Sequence, residues 1–129
     1  MRRDSRLIEL SREHHLALRL AKRLLADSPG LPDAGVLAEL ARETPALLRH
    51  FAQEEHELLP PLLGWGETAL ADRLLDEHRQ IREWLQATDA VGLSRLADLL
   101  QQHVRFEERE LFEVMQRYWA NAGCAGSTG

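Results

Sequence analysis

Cysteine is all but absent from this chain, Cys124 being the only one. A lone thiol closes no internal disulfide, so no covalent staple holds the fold, as expected for a reducing compartment. Cys124 stands in residues 121–129, a Gly- and Ala-rich stretch that reads as a flexible tail, and it is taken as an ordinary tail residue. Aromatic residues make up only 5%, so the core must be mostly aliphatic; Leu and Ala are abundant, and both favour helix. Long apolar runs are missing too. None approaches the ~20 residues that cross a bilayer. Arg2-Arg3 is followed by the charged stretch 4–15 instead of the apolar centre of an export signal. A cytoplasmic protein without membrane contact is expected. Basic charge is in deficit, with a formal net charge of −5. That argues against a nucleic-acid partner, because phosphate contacts need a basic face. The one basic cluster, Arg2, Arg3 and Arg6, reads as a solvated helix start.

What is present is helical pattern with clear punctuation. The 129 residues make one domain, expected to span residues 1–120 and to be followed by the tail. Ser28-Pro29-Gly30-Leu31-Pro32, then 60–66 from Pro60 to Gly66, then Thr88-Asp89-Ala90-Val91-Gly92 separate four periodic segments. Asp4 or Ser5 is placed to cap the first segment and Asp33 the second. Pro45 either kinks the second helix or opens its main part, with Thr44 as N-cap. Short connections make successive helices antiparallel, so the expected fold is all-α, an up-down-up-down four-helix bundle.

The inward stripes carry an anomaly. They read Leu7, Leu10, His14, Ala17 or Leu18, Ala21, Leu25; then Leu47, His50/Phe51, Glu54, Leu58; then Leu74, His78, Ile81, Leu85; then Leu96, Leu99/Leu100, His103, Glu107, Glu110 or Leu111, Val114. In each, a histidine or glutamate takes a core position. The placement repeats. His50-x-x-x-Glu54-Glu55 returns as His103-x-x-x-Glu107-Glu108, and each copy is preceded by a Glu-His pair, Glu13-His14 and Glu77-His78. His78 lies about ten residues before the end of its segment and His103 about eleven after the start of the next. At ~1.5 Å per residue they share a height, and His14 and His50 agree within about one turn. Four imidazoles and two carboxylates thus meet in one slab.

Such groups are costly in an apolar interior unless neutralised. Divalent cations reverse the problem by turning neutral imidazoles and carboxylates into ligands. An all-nitrogen-and-oxygen donor set suits iron, manganese or zinc better than copper(I). Six side chains do not saturate two octahedral ions, which leaves positions for a small ligand.

These landmarks, with Leu58-Leu59-Pro60 after the first His-x-x-x-Glu and Leu111-Phe112 after the second, resemble the hemerythrin-like, or HHE cation-binding, family over about residues 7–118. The resemblance implies His14, His50, His78 and His103 as terminal ligands, Glu54 and Glu107 as bridging carboxylates, and two irons joined by an oxo or hydroxo group, with zinc or manganese as substitutes. Oxygen-carrying members have a fifth histidine one turn from the residue resembling His78; Leu74 and Arg82 stand there instead, and the last motif is His-x-x-x-Glu. The chain is more similar to the four-His, two-Glu members, which include iron-sulfur-cluster repair proteins and iron- or oxygen-sensing domains. The implied function is binding or sensing of oxygen, nitric oxide or iron. The alternatives are a redox enzyme acting on peroxide or nitric oxide and a structural zinc bundle. The partner is then a diatomic molecule or peroxide, and the chain a monomer or homodimer.

Ordinary roles cover the remaining residues. His15 rivals His14, but its stripe holds Ile8, Arg12 and Arg19, so it is expected half-exposed. His56 sits on another face from His50. Glu55 and Glu108 read as solvated or as outer partners, and Glu13 and Glu77 equally so, because adjacent helical residues point apart. The aromatics read as packing, with Trp65 over one end of the bundle. His56-Glu57 lacks the second histidine of a zinc-protease helix, and no Glu-x-x-His occurs, so the ferritin-like pattern is missing.

Overall fold

The computed structural model describes residues 3–26 and 34–128, with side chains for 3–25 and 34–122. Helix α1 is Ser5–Ala26, α2 Ala34–Gly64 and α3 Thr68–Trp84. The fourth rod is continuous: α4 (Ala90–Phe106), a π-helical turn (Glu107–Leu111) and α5 (Phe112–Thr128). There is no strand among the described residues. Helix α1 packs on α2 and α4, and α3 packs on α2 and α4, which closes a four-helix bundle. The helical backbone runs through Thr128, into the stretch 121–129 that was read as a tail.

Local chemistry sets the ends. Asp4 Oδ1 accepts the Arg6 N–H at 2.9 Å and caps α1. Asp89 Oδ1 accepts the Gly92 N–H at 2.7 Å and caps α4. A Cβ on Gly92 would stand 2.8 Å from both Ala87 Cβ and Asp89 Oδ1, so this tight entry requires glycine. The second helix ends by a Schellman motif. Gly66 has φ 81°, its N–H bonds the Leu63 carbonyl at 3.1 Å, and the Glu67 N–H bonds the Leu62 carbonyl at 2.8 Å. The expected cap at Asp33 lies outside the described residues.

Of the two readings for Pro45, the helix start fails: α2 runs through it for 31 residues and also contains Pro60 and Pro61. Thr44 is not an N-cap, because its hydroxyl donates to the Leu40 carbonyl one turn back, inside the helix. A proline in a helix interior costs about 3 kcal/mol locally. Burial of Leu47, Phe51, Leu58 and Leu62 along the same helix outweighs that preference.

The π turn sets the phase of the fourth rod. The Phe112 N–H bonds the Glu107 carbonyl five residues back. Glu107, Leu111 and Phe112 are therefore all buried, while Glu110, one of the two expected inward residues, is exposed. In α1, Ala17 is buried and Leu18 is 39% exposed. Leu20 and Leu24 are buried as well and widen the stripe beyond the reading from spacing.

The apolar core comes in two parts. One holds Leu20, Leu24, Leu47, Phe51, Ile81, Leu96 and Leu100 among others. The other holds Leu7, Leu10, Leu58, Leu62, Leu74, Leu111 and Phe112 among others. In α1 and α3 the buried histidine falls between the two, and in α2 and the fourth rod the histidine and glutamate straddle the place where they meet. The bundle is thus two hydrophobic plugs with a polar layer between them.

Candidate metal centre

That layer contains His14, His50, Glu54, His78, His103 and Glu107, all at most 6% exposed, with Glu54, His78 and Glu107 at 0%. They form two overlapping donor sets. His14, His50, Glu54 and Glu107 bring one donor atom each within 4.8 Å of one another, and so do Glu54, His78, His103 and Glu107. The two glutamates belong to both sets. The structure thus brings together all six residues singled out from the repeat. His15 and His56 are exposed and join neither set.

The inward-facing atoms are in close contact. His78 Nε2 lies 2.9 Å from Glu54 Oε1, and His103 Nε2 lies 2.6 Å from Glu107 Oε1. His14 Nε2 is 3.2 Å from Glu107 Oε1, and His50 Nε2 is 3.3 Å from Glu54 Oε2. Buried polar atoms without a hydrogen-bond partner are rare in folded proteins, yet His50 Nε2, Glu54 Oε2 and Glu107 Oε2 have none among the described residues. These are an imidazole nitrogen and two carboxylate oxygens, the atoms a hard or borderline divalent cation takes up. The donor chemistry and the orphaned atoms fit a cation centre.

Each of the four histidines of the layer is oriented from outside by a carboxylate on its Nδ1. Glu108 holds His14 at 2.7 Å, Glu13 holds His50 at 2.7 Å, Glu55 holds His78 at 2.7 Å and Glu77 holds His103 at 2.8 Å. The arrangement is a ring. The fourth rod steadies the first helix, the first steadies the second, the second the third, and the third the fourth rod. With Nδ1 committed outward, Nε2 is the atom each ring presents to the centre. Glu55, Glu77 and Glu108 are half-buried outer partners, whereas Glu13 pairs with His50 while still exposed to solvent. Adjacent helical residues do point apart, but the outer glutamate reaches sideways to the neighbouring helix's histidine. Arg3 is not a solvated helix start: it binds Glu108 at 2.9 Å and Gln116 at 3.1 Å.

Aromatic rings wall the layer. Phe51 stacks on His78 at 4.4 Å between centroids, and Phe112 stacks on His14 at 5.6 Å. Trp65 stacks on Tyr118 at 4.3 Å at one end of the bundle, and the Tyr118 hydroxyl donates to Glu67.

The electrostatics follow from this geometry. Burial disfavours charge on His14, but Glu107, Glu108 and Glu54 outweigh it and push its pKa up to about 11. Burial likewise opposes charge on His103, and Glu107, Glu54 and Glu77 raise it well above the ordinary value. Burial alone would raise Glu54, whereas its contacts with Glu107 and with His103, His14 and His50 hold it well below the usual carboxylate range. Glu108 is pulled down to about 2 against its partial burial, by His14, Ser11 and Arg3. The layer is therefore an array of carboxylates matched by positive charge, a role a bound cation fills in place of imidazolium protons.

Two buried His/Glu sets sharing both carboxylates, inside a closed helical bundle, define a cation-binding four-helix protein. The family comparison agrees. The model of the hemerythrin HHE cation binding domain matches residues 6–115, and the chain belongs to that family. No significant match was found among curated proteins or among solved structures. No helix among the described residues is long and apolar enough to cross a membrane.

Proposed function

We propose that this chain is a non-haem di-iron protein that binds or senses oxygen, nitric oxide or iron at the buried His/Glu layer. The observation that carries the reading is the sharing of Glu54 and Glu107 by both donor sets. A carboxylate placed between two pairs of imidazoles suits two cations better than one. His14 and His50 would hold one ion through Nε2, His78 and His103 the other, and Glu54 and Glu107 would bridge them. Iron bound there would supply redox capacity and open coordination positions for a small ligand. The protein's own part is to fix the rings, through the outer glutamates, and to keep bulk water out, through the two apolar plugs. The absence of a fifth histidine at Leu74 or Arg82 leaves more positions open, which favours ligand exchange over simple oxygen carriage.

The test is chemical analysis joined to spectroscopy. Protein from iron-supplied cells is expected to carry close to two irons per chain and to absorb in the near-ultraviolet and visible. That absorption is expected to bleach on reduction and return under oxygen. A colourless, zinc-bearing, redox-silent protein would overturn the reading. Sustained consumption of peroxide or nitric oxide would move it to the enzyme class.

A further inference from the structure

The four outer glutamates are not held alike. Glu108 is pinned by Arg3 at 2.9 Å and by the Ser11 hydroxyl at 2.6 Å. Glu55 is pinned by Arg82 at 2.9 Å, and Glu77 by Arg73 at 2.9 Å. Glu13 has no such anchor among the described residues. Among the described residues its one ion pair is with His50 itself. Its side chain is 45% exposed, against 27%, 23% and 16% for Glu108, Glu55 and Glu77. Two of the three orphaned atoms, His50 Nε2 and Glu54 Oε2, lie at the same corner, 3.3 Å apart.

An imidazole stays on a cation only while its ring is fixed, and the partner on its other nitrogen does the fixing. A carboxylate locked by arginine has few alternatives to that contact. A carboxylate nearly half exposed and held by no arginine exchanges its imidazole for solvent more readily, and the ring it held is then free to turn. His50 is the histidine exposed to this, at the seam between α1 and α2.

We infer that the two cation positions exchange at unequal rates: the ion at His14 and His50 leaves first, released through the Glu13 corner, while the ion at His78 and His103 stays. The inference rests on the two-cation reading and concerns the bound ions, not the small ligand.

The experiment uses the full chain loaded with zinc, which removes redox chemistry from the readout. Release is followed by mixing with a chromogenic chelator. Two phases of equal amplitude are expected. Anomalous diffraction from crystals of half-stripped protein is expected to place the remaining ion beside His78 and His103. Glu13→Gln, an exposed substitution that leaves the core alone, should speed the fast phase roughly tenfold and leave the slow phase unchanged. Arg82→Leu should speed the slow phase alone. Thermal melts check that both variants stay folded. A remaining ion beside His14 and His50 overturns the inference, as does Glu13→Gln acting on the slow phase or on neither. Full loading with two ions followed by one release phase overturns the inference but not the two-cation reading. Failure to load a second ion overturns both.

Discussion

The Nε2 atoms of His78 and His103 face one another at 3.1 Å, while the Nδ1 atoms of both rings are committed to carboxylates. Two neutral rings so placed would set lone pair against lone pair. Either a proton or a cation must lie between them. Burial opposes charge on His103, but Glu107, Glu54 and Glu77 outweigh it and raise its pKa, which favours positive charge at this contact.

Cation uptake should therefore release protons. His14, His50 and His103 all have raised pKa values in the metal-free protein, and each must be neutral to ligate. Titrating zinc into metal-free protein in weak buffer at about pH 7.5 is expected to acidify the solution by at least one proton per ion. A pH indicator dye reads this directly. Uptake without acidification would contradict the charge arrangement described for the layer.

The two forms should depend on pH in opposite ways. In metal-free protein, Glu108 has a pKa of about 2 against an ordinary 4.5, so its stabilisation is present above pH 4.5 and is lost as pH falls toward 2. His14 has a pKa of about 11 against an ordinary 6.5, so its stabilisation is present below pH 6.5 and is lost as pH rises through 11. Metal-free protein should melt highest between pH 4.5 and 6.5 and less well above. Metal-loaded protein should gain on it as pH rises, because protons compete with the cation. Paired thermal melts across this range should show the gap in Tm widening upward; a constant gap would contradict it.

Removing a shared carboxylate should differ from removing a single-set imidazole. Glu54 belongs to both donor sets and His14 to one. Glu54→Gln is expected to cut metal content below one ion per chain, and His14→Ala to leave close to one. Each should also lose part of the metal-dependent rise in stability, which is about 2.7 kcal/mol when free metal is 100 times Kd. Elemental analysis after desalting decides; equal losses in both variants would remove the case for bridging.

Phe51 serves packing and the layer together. It is 1% exposed and stacks on His78 at 4.4 Å. Phe51→Ala should cost about 3–5 kcal/mol in denaturant unfolding, and the loosened His78 should weaken metal retention. Asp89→Ala is the contrasting case. It removes the cap on Gly92 and should cost ~1 kcal/mol with metal content unchanged.

Much of this was legible in the residues. The repeat of His-x-x-x-Glu-Glu after Glu-His places six polar groups on apolar stripes, and periodicity alone assigns each to its own helix's inner face. What spacing does not show is which groups meet between helices. Glu13 sits beside His14 in sequence yet serves His50, and Glu77 sits beside His78 yet serves His103. Those pairings depend on the order and hand in which the helices close, information carried by no single segment. At Pro45 the residues left a kink and a helix start both open, because its local preference is set against burial along the rest of α2, and only the helix start is excluded. The π turn was invisible because one extra residue per turn alters the phase of a stripe without altering its composition.

That extra residue has a consequence for anyone borrowing this centre. Placing the six donors on straight ideal rods would reproduce the ligand positions and rotate everything after Leu111 out of step, carrying Phe112 off the face of His14. A transplant that omits the irregular turn would keep its ligands and lose the flat aromatic floor beneath one of them.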